Sequence, residues 1–212
     1  MTFKLKPVLI CIALYLVFLV CLMPAKWVTQ FIPKNSGIEL TGVSGTIWGG
    51  QAQQVMIRGE HVDKLQWQLK PWSLFTARLA ADVKFGQGNR GLLGHGELAY
   101  GFSGAELTDF NLSLPVARVI KYLPLPMPVE AQGLLDLSIK SAQQGQPFCQ
   151  QLDGFLFWTD ASVSTPMGAV ILGDPKVKLE CDEKGGLAAI LDQESDHLTI
   201  SMKSWLPNQQ QY

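Results

Sequence analysis

Three histidines, four cysteines and one acidic run are the residues of this 212-residue chain whose chemistry goes beyond packing. His61, His95 and His197 are scattered, and no two stand at i, i+4, the spacing that puts two imidazoles on one helix face for a metal. A phosphate loop of the form G-x-x-x-x-G-K-[ST] is absent. The serines of Thr41–Thr46 (TGVSGT) and Tyr100–Gly104 (YGFSG) miss the G-x-S-x-G spacing of a nucleophile elbow and read as turn residues. Asp192–His197 (DQESDH) alternates oxygen ligands as a hard-cation site would. It lacks the glycine and the terminal glutamate of a calcium loop, and a solvated turn between strands accounts for it. Gly94-His95-Gly96 reads as a strand position with an exposed ring. No nucleophile is paired with a base, so the sequence assembles no catalytic, cofactor or metal site, and the expectation is a protein that is not an enzyme.

The remaining chemistry depends on compartment. Val8–Met23 is an unbroken run of 16 apolar residues between Pro7 and Pro24, preceded by Lys4 and Lys6. A spanning helix takes about 20 residues, with a range near 17–25. Phe3, Leu5, Pro24 and Ala25 extend the run, with the lysines snorkelling. Met at −3 of Met23-Pro24-Ala25 spoils a small-x-small cleavage site, and Val20 is too large for a lipoprotein box before Cys21, so an uncleaved signal anchor is preferred to a cleaved signal. The positive-inside rule keeps Lys4 and Lys6 in the cytoplasm and places everything after Trp27 outside it. Trp27 and Phe31 suit the outer interface. The chain divides accordingly into a cytoplasmic N-terminus (1–7), a transmembrane signal anchor (8–25), a linker (26–37) and an exported β-domain (38–212).

Cys11 and Cys21 fall in the apolar segment and behave as small hydrophobes. Cys149 and Cys181 fall in the exported domain, where disulfides persist, and pairing is the default for two cysteines there. Their bridge closes a loop of roughly 33 residues, worth about 3–4 kcal/mol in the chain-entropy model. Two buried free thiols are the alternative. Formal net charge is −1, and without Lys4, Lys6 and Lys26 the remainder has 14 basic against 18 acidic residues. A mildly acidic domain with no basic cluster argues against nucleic acid as the partner.

The exported region alternates with period 2. Val55 and Ile57 share a phase, as do Leu65, Trp67 and Leu69, then Leu79, Ala81, Val83 and Phe85. Gly94, Gly96, Leu98 and Tyr100 follow, then Phe110, Leu112 and Leu114. Beyond a proline cluster come Gly133–Ile139, Leu152–Trp158, Ala169 and Ile171, Val177–Cys181, Leu187–Leu191 and Leu198–Met202. One stretch departs from the rule. Val116, Val119, Ile120 and Leu123 make a helical stripe opened by Pro115 and stopped by Pro124, Pro126 and Pro128. The expected fold is all-β: a curved antiparallel sheet, half-barrel or sandwich of about ten short strands, with one or two short helices and one preceding transmembrane helix. Trp67, Trp72 and Trp158 suffice to fill a small sandwich, and Trp72, Leu74 and Phe75 make an apolar turn suited to plugging one end of the sheet. The halves 40–114 and 129–202 read as a loose repeat, each with a Trp-bearing strand.

Two stretches carry a family resemblance. GVSGTIWGGQAQQV with LQWQLKPWSLFTARL, and LDGFLFWTDASVSTPMGAVILGDPKVKLECD, resemble the type II secretion system protein N family. Gly42, Gly45, Trp48, Gly49, Gly50 and the W-x-L-x-P-W-S-L run at Trp67–Leu74 carry the first match. The resemblance implies a single-pass accessory of a bacterial inner-membrane platform, with its C-terminal domain in the periplasm. Such a platform moves folded proteins across the outer membrane, and the implied partners are its other components. Family members run on through further strands, whereas residues 205–212 read here as a turn and the start of one more. The L-x-W-x-L rhythm is also similar to AsmA-like proteins, which implies lipid as an alternative ligand of the apolar face.

Overall fold

Alternation becomes pairing in the computed structural model, which describes residues 5–27, 37–57, 59–87, 91–122, 129–146, 148–166, 168–182, 185–195 and 198–205; for 5–7, 192–195 and 198–205 it describes the backbone. Helix α1 (Leu5–Cys21) is followed by strands β1 (Ile38–Thr41), β2 (Ser44–Gly45), β3 (Gly49–Ile57) and β4 (Glu60–Leu69). A 3-10 turn (Pro71–Thr76) leads to β5 (Leu79–Phe85), β6 (Leu93–Gly101) and β7 (Gly104–Pro115). After the short helix α2 (Val116–Ile120) come β8 (Glu130–Gln144), β9 (Cys149–Thr165), β10 (Gly168–Gly173), β11 (Lys176–Cys181), β12 (Leu187–Ser195) and β13 (Leu198–Trp205).

All thirteen strands among the described residues join one open antiparallel sheet, so of the three shapes expected the antiparallel sheet is found and the sandwich is not. Its order is β1-β3-β4-β5-β6-β7-β8-β9-β11-β12-β13, with β2 paired to β3 and β10 to β9. Almost every strand neighbours the next in sequence, as short connections favour. Trp205, expected in a turn, is the last residue of β13 and stands opposite Ala188.

The strands are more numerous than the expected ten, and several are far from short: β8 has 15 residues and β9 has 17. The reason is local. Lys64, Asp109 and Asp160 lie inside strands with φ of 50°, 48° and 53°. A left-handed residue within a strand adds twist and can turn the alternation over, as in a bulge. Val62 and Leu65, three apart across Lys64, accordingly pack into one cluster. The ladder between β8 and β9 shifts register between Gln132 and Leu134, at the level of Asp160, and then continues. Each slip of phase resembles a strand end in the sequence, although pairing runs through it.

Helix α1 has 17 residues, about 26 Å at 1.5 Å per residue. Among the described residues no helix is long and apolar enough to cross a membrane. The chain leaves α1 straight into the sheet. The Ile47 amide donates to the Met23 carbonyl (3.0 Å), the Ala25 amide to the Gly45 carbonyl (3.0 Å), and the Trp48 indole to the Val20 carbonyl (2.9 Å). Ala25 is 1% exposed and heads a cluster with Val43, Ala52, Val55 and Val62. The proposed linker residues 28–36 lie outside the described residues. Helix α2 buries Val116, and Pro115 is its N-cap in extended conformation rather than its first helical residue. Leu123 and the prolines after it also lie outside the described residues.

The total accessible surface is 15926 Å². A folded monomer of 23.3 kDa is expected to expose about 9,700 Å². No large side chain among the described residues is fully buried. The exposed helix α1 contributes to that excess, and the sheet adds to it as one layer, in keeping with the single path of its strands.

Candidate interaction surface

Residues directly opposite in a ladder share a face, so the registers trace one surface across the sheet. Leu69 stands opposite Ala81 and Trp67 opposite Val83. Ala81 faces Leu98, which faces Leu107, which faces Ala142. Ala142 pairs with Leu152, and Ile139 with Gly154. Gly154 pairs with Leu179, and Leu179 with Ala189. One apolar row thus crosses from β4 to β12. The opposite face carries Gln66, Gln68, Asp82, Lys84 and Glu97, in register with one another.

Two cavities lie on the apolar face. One, of about 340 Å³, is lined by Ala25, Leu40, Val43, Leu65, Trp67 and Ala81, beside the end of α1. The other, of about 490 Å³, is lined by Leu107, Leu137, Ile139, Leu152, Leu179 and Ala189 among others, spanning β7 to β12. Apolar walls of this kind accept hydrocarbon or apolar side chains and offer no group for bond chemistry. Phe148 and the disulfide half-cystine Cys149 close one end of the larger cavity.

Cys149 and Cys181 are bonded, with S–S 2.13 Å and Cα atoms 6.1 Å apart. The bridge joins the first residue of β9 to the last of β11. Phe148 and Cys149 amides both donate to the Gly185 carbonyl (3.1 Å each), tying the same corner to the β11–β12 turn.

Two tryptophans share one device. Trp67 lies over Gly50, where an added Cβ would meet its ring at 2.5 Å, and its indole donates to the Ile47 carbonyl (3.2 Å). Trp158 lies over Gly133, where a Cβ would meet its indole nitrogen at 2.8 Å, and donates to the Gln132 carbonyl (3.0 Å). Glycine is required at both positions by this close approach. Trp72 is different. It is 79% exposed and Phe75 is 83% exposed, so the 3-10 turn does not plug the sheet, and the tryptophan-filled core expected from sequence is not formed. The Ser73 hydroxyl closes that turn, donating to the Lys70 carbonyl (2.6 Å) and accepting from the Ala80 amide (3.1 Å). With polar groups so satisfied, the Trp72 and Phe75 rings stack on each other, centroids 5.8 Å apart, and stay exposed.

The charged and titratable candidates are dispersed. On the polar face the Lys70 ammonium lies 3.1 Å from Asp82 and 2.6 Å from Glu97. Its pKa is raised above the ordinary 10.5 by hydrogen bonds to Glu97 and Asp82. Tyr122 donates to the Glu60 carboxylate, which raises its pKa. His61 is exposed on β4, and His95 is exposed on β6 with its Nε2 3.4 Å from Asn111 Nδ2. The Asp192–Ser195 backbone is strand rather than turn, and Asp196 and His197 lie outside the described residues. No group of three or more possible metal ligands occurs among the described residues.

A surface without reactive groups has to be placed by kinship. The family described as "Type II secretion system (T2SS), protein N" matches residues 36–212. The chain belongs to the type II secretion system protein N family. It is 41% identical to the type II secretion system protein N of Vibrio cholerae, over 77% of this chain and 68% of that protein. The corresponding figures are 37% over 93% and 79% for Aeromonas hydrophila, and 31% over 89% and 73% for Pectobacterium carotovorum. No solved structure matches the chain. Membership in the protein N family makes this chain a type II secretion component. The sequence resemblance reached that family from the glycine turns and W-x-L-x-P-W-S-L. What sequence reading missed is that Ala25 and Val43 belong to the core; a small residue directly after Pro24 was the available signal.

Proposed function

We propose that the chain is an accessory of the type II secretion inner-membrane platform, acting through protein–protein contacts and not through bond chemistry. The apolar run from residue 8, carried on α1, anchors it in the inner membrane, the N-terminus stays in the cytoplasm, and the β-domain works in the periplasm; Pro24 and Ala25, the end of the expected anchor, belong to the sheet instead. The observation that carries this reading is the family match over 36–212. The described part of α1 supports the anchor, since Leu9 through Leu22 present apolar side chains to the surroundings on every side of the helix. The open sheet edges offer backbone groups for strand addition by a platform component.

The test is gentle extraction of the full-length chain from its own membrane, followed by mass spectrometry of co-purifying proteins and lipids. Enrichment of other secretion-platform proteins is expected. Recovery without any of them, from cells with an assembled system, overturns the reading.

A second reading is favoured by a specific observation. The larger apolar cavity, about 490 Å³, lies on a sheet face with no second layer of described residues over it. An acyl chain fits that chemistry, and the domain then acts as a membrane-anchored lipid-binding module. Stoichiometric phospholipid in the same extract, without platform proteins, is the result this second reading expects.

A further inference from the structure

The two ends of the sheet differ in what their turns carry. At the α1 end, Trp48 links the helix to the strands: its indole reaches the Val20 carbonyl, and its carbonyl accepts from the Leu69 amide (2.7 Å). Leu69 ends β4 and runs directly into the 3-10 turn with Trp72, Leu74 and Phe75. The β6–β7 turn lies beside that turn, because Leu79 stands opposite Tyr100 and a Cβ on Gly101 would meet Arg78 Cγ at 2.9 Å. Phe102 is in this second turn and 96% exposed, and Tyr100, next to the last residue of β6, is 66% exposed. Trp27, just past the helix, is also exposed. Five exposed aromatic residues therefore lie at or next to the end of the sheet at which α1 leaves it.

The far end is built otherwise. The β5–β6 turn there is Gly86–Gly91, GQGNRG, all polar or glycine. Its exposed aromatic among the described residues is Tyr122, whose hydroxyl is engaged by Glu60. Exposed rings clustered at one end are costly in water and characteristic of a layer that is apolar on one side and wet on the other.

We infer that the α1-side turns, with Trp72, Phe75, Tyr100 and Phe102, rest in the headgroup layer of the membrane that α1 enters. This rests on the anchor reading above and deepens it: the sheet is held end-on to the bilayer by its own turns. Amphipathic rings concentrate at that depth. Residues 70–78 (KPWSLFTAR) and 101–104 (GFSG) contain no carboxylate that anionic headgroups would repel. Lys70 and Arg78 have their acids on neighbouring strands, Asp82 with Glu97, and Glu106.

The experiment uses the full chain with Cys11→Ala and Cys21→Ala, reconstituted in phosphatidylcholine–phosphatidylglycerol vesicles. Single spin labels are placed at Thr76, Ser103, Gly59 and Leu14, and relaxation by oxygen is compared with relaxation by a water-soluble nickel chelate. Thr76 and Ser103 are exposed beside the rings without being among them; Gly59 is in a far-end turn. The expected result is an oxygen-to-nickel ratio severalfold higher at Thr76 and Ser103 than at Gly59, with Leu14 higher still. Adding Phe75→Ser and Phe102→Ser is expected to bring the ratio at both tips down to that at Gly59. A deep Leu14 with Thr76 and Ser103 as wet as Gly59 overturns the inference and leaves the anchor standing. A wet Leu14 overturns the anchor reading, and the inference with it.

Discussion

Two halves of one sheet face use the same parts and end in different states. In each half a tryptophan of one strand lies over a glycine of the preceding strand and donates to a nearby carbonyl, Trp67 over Gly50 and Trp158 over Gly133. Near α1 the chain then covers its own apolar row: Ala25 and Val43 fold onto Ala52, Val55 and Val62. From β7 to β12 the only cover among the described residues is the short helix α2, which packs on β8 and buries Val116, and the cavity over Leu137, Leu179 and Ala189 stays open. The difference teaches that local strand construction and face coverage are separate problems. The repeat supplies the first in both halves; the helix junction supplies the second in one.

The largest effect comes from placing the same charge in both halves. Val55 is 4% exposed, and Val55→Asp buries an unpaired carboxylate, for an expected loss of about 3–5 kcal/mol. Leu137→Asp sits on the open face and is expected to cost much less, because water reaches the new carboxylate. Urea unfolding midpoints check both. Equal losses would break the comparison, since they require the second half to be covered in solution.

The open half has a different support. Cys149→Ala with Cys181→Ala removes the bond that closes the β9–β11 corner, at an expected cost of about 3–4 kcal/mol for a separation of 32 residues. At roughly 2–4 °C per kcal/mol for a chain of this size, the melting temperature falls by about 10 °C. Calorimetry with and without reductant measures it. A cost well under 1 kcal/mol would mean that the strand ladders and the Gly185 carbonyl hold the corner without the bridge.

The tryptophan pair sharpens the comparison further. Trp67→Phe leaves the Ile47 carbonyl without its indole donor in a partly buried setting, at an expected cost of about 1 kcal/mol. Trp158→Phe frees an exposed carbonyl that water can satisfy, so its cost is expected to be smaller. Reversal of that order would place the better-covered face in the second half.

How much of this was legible in the sequence follows from where the signals are local. The all-β class, the strands around Trp67 and Trp158, and a helix at Val116 were readable because period and residue type act within a few positions. Strand lengths were not: Asp109 and Asp160 have left-handed backbones that no glycine announces, and each breaks the alternation while pairing continues. The exposure of Trp72 and Phe75 was illegible for another reason. Hydrophobicity says that a ring seeks an apolar neighbour, but only the topology, which puts that turn at the sheet's end beside the β6–β7 turn, says that the neighbour is not the sheet. The Cys149–Cys181 pair was readable from compartment and count, without any geometry.

The smallest effect concerns the polar face, where the halves again differ. Near α1, Lys70 at the end of β4 holds Asp82 of β5 and Glu97 of β6, linking three strands. In the second half, Lys178 pairs with Glu180 of its own strand at 3.0 Å and links none. The hydrogen bonds to Glu97 and Asp82 raise the Lys70 pKa above 10.5, so the folded state holds its proton more tightly than the unfolded chain does. The stabilisation is therefore complete below about pH 10.5 and disappears as pH rises through the higher folded value. Lys70 and Asp82 side chains are 41% and 46% exposed, and screening at such sites keeps the contribution below about 1 kcal/mol. Lys70→Met is expected to lower stability slightly at pH 8 and to flatten its alkaline fall, whereas Lys178→Met, whose pair joins no strands, is expected to change stability at pH 8 less. Parallel urea titrations at pH 8 and pH 11 decide it: an equal response from the two variants would mean that joining three strands adds nothing to a surface ion pair.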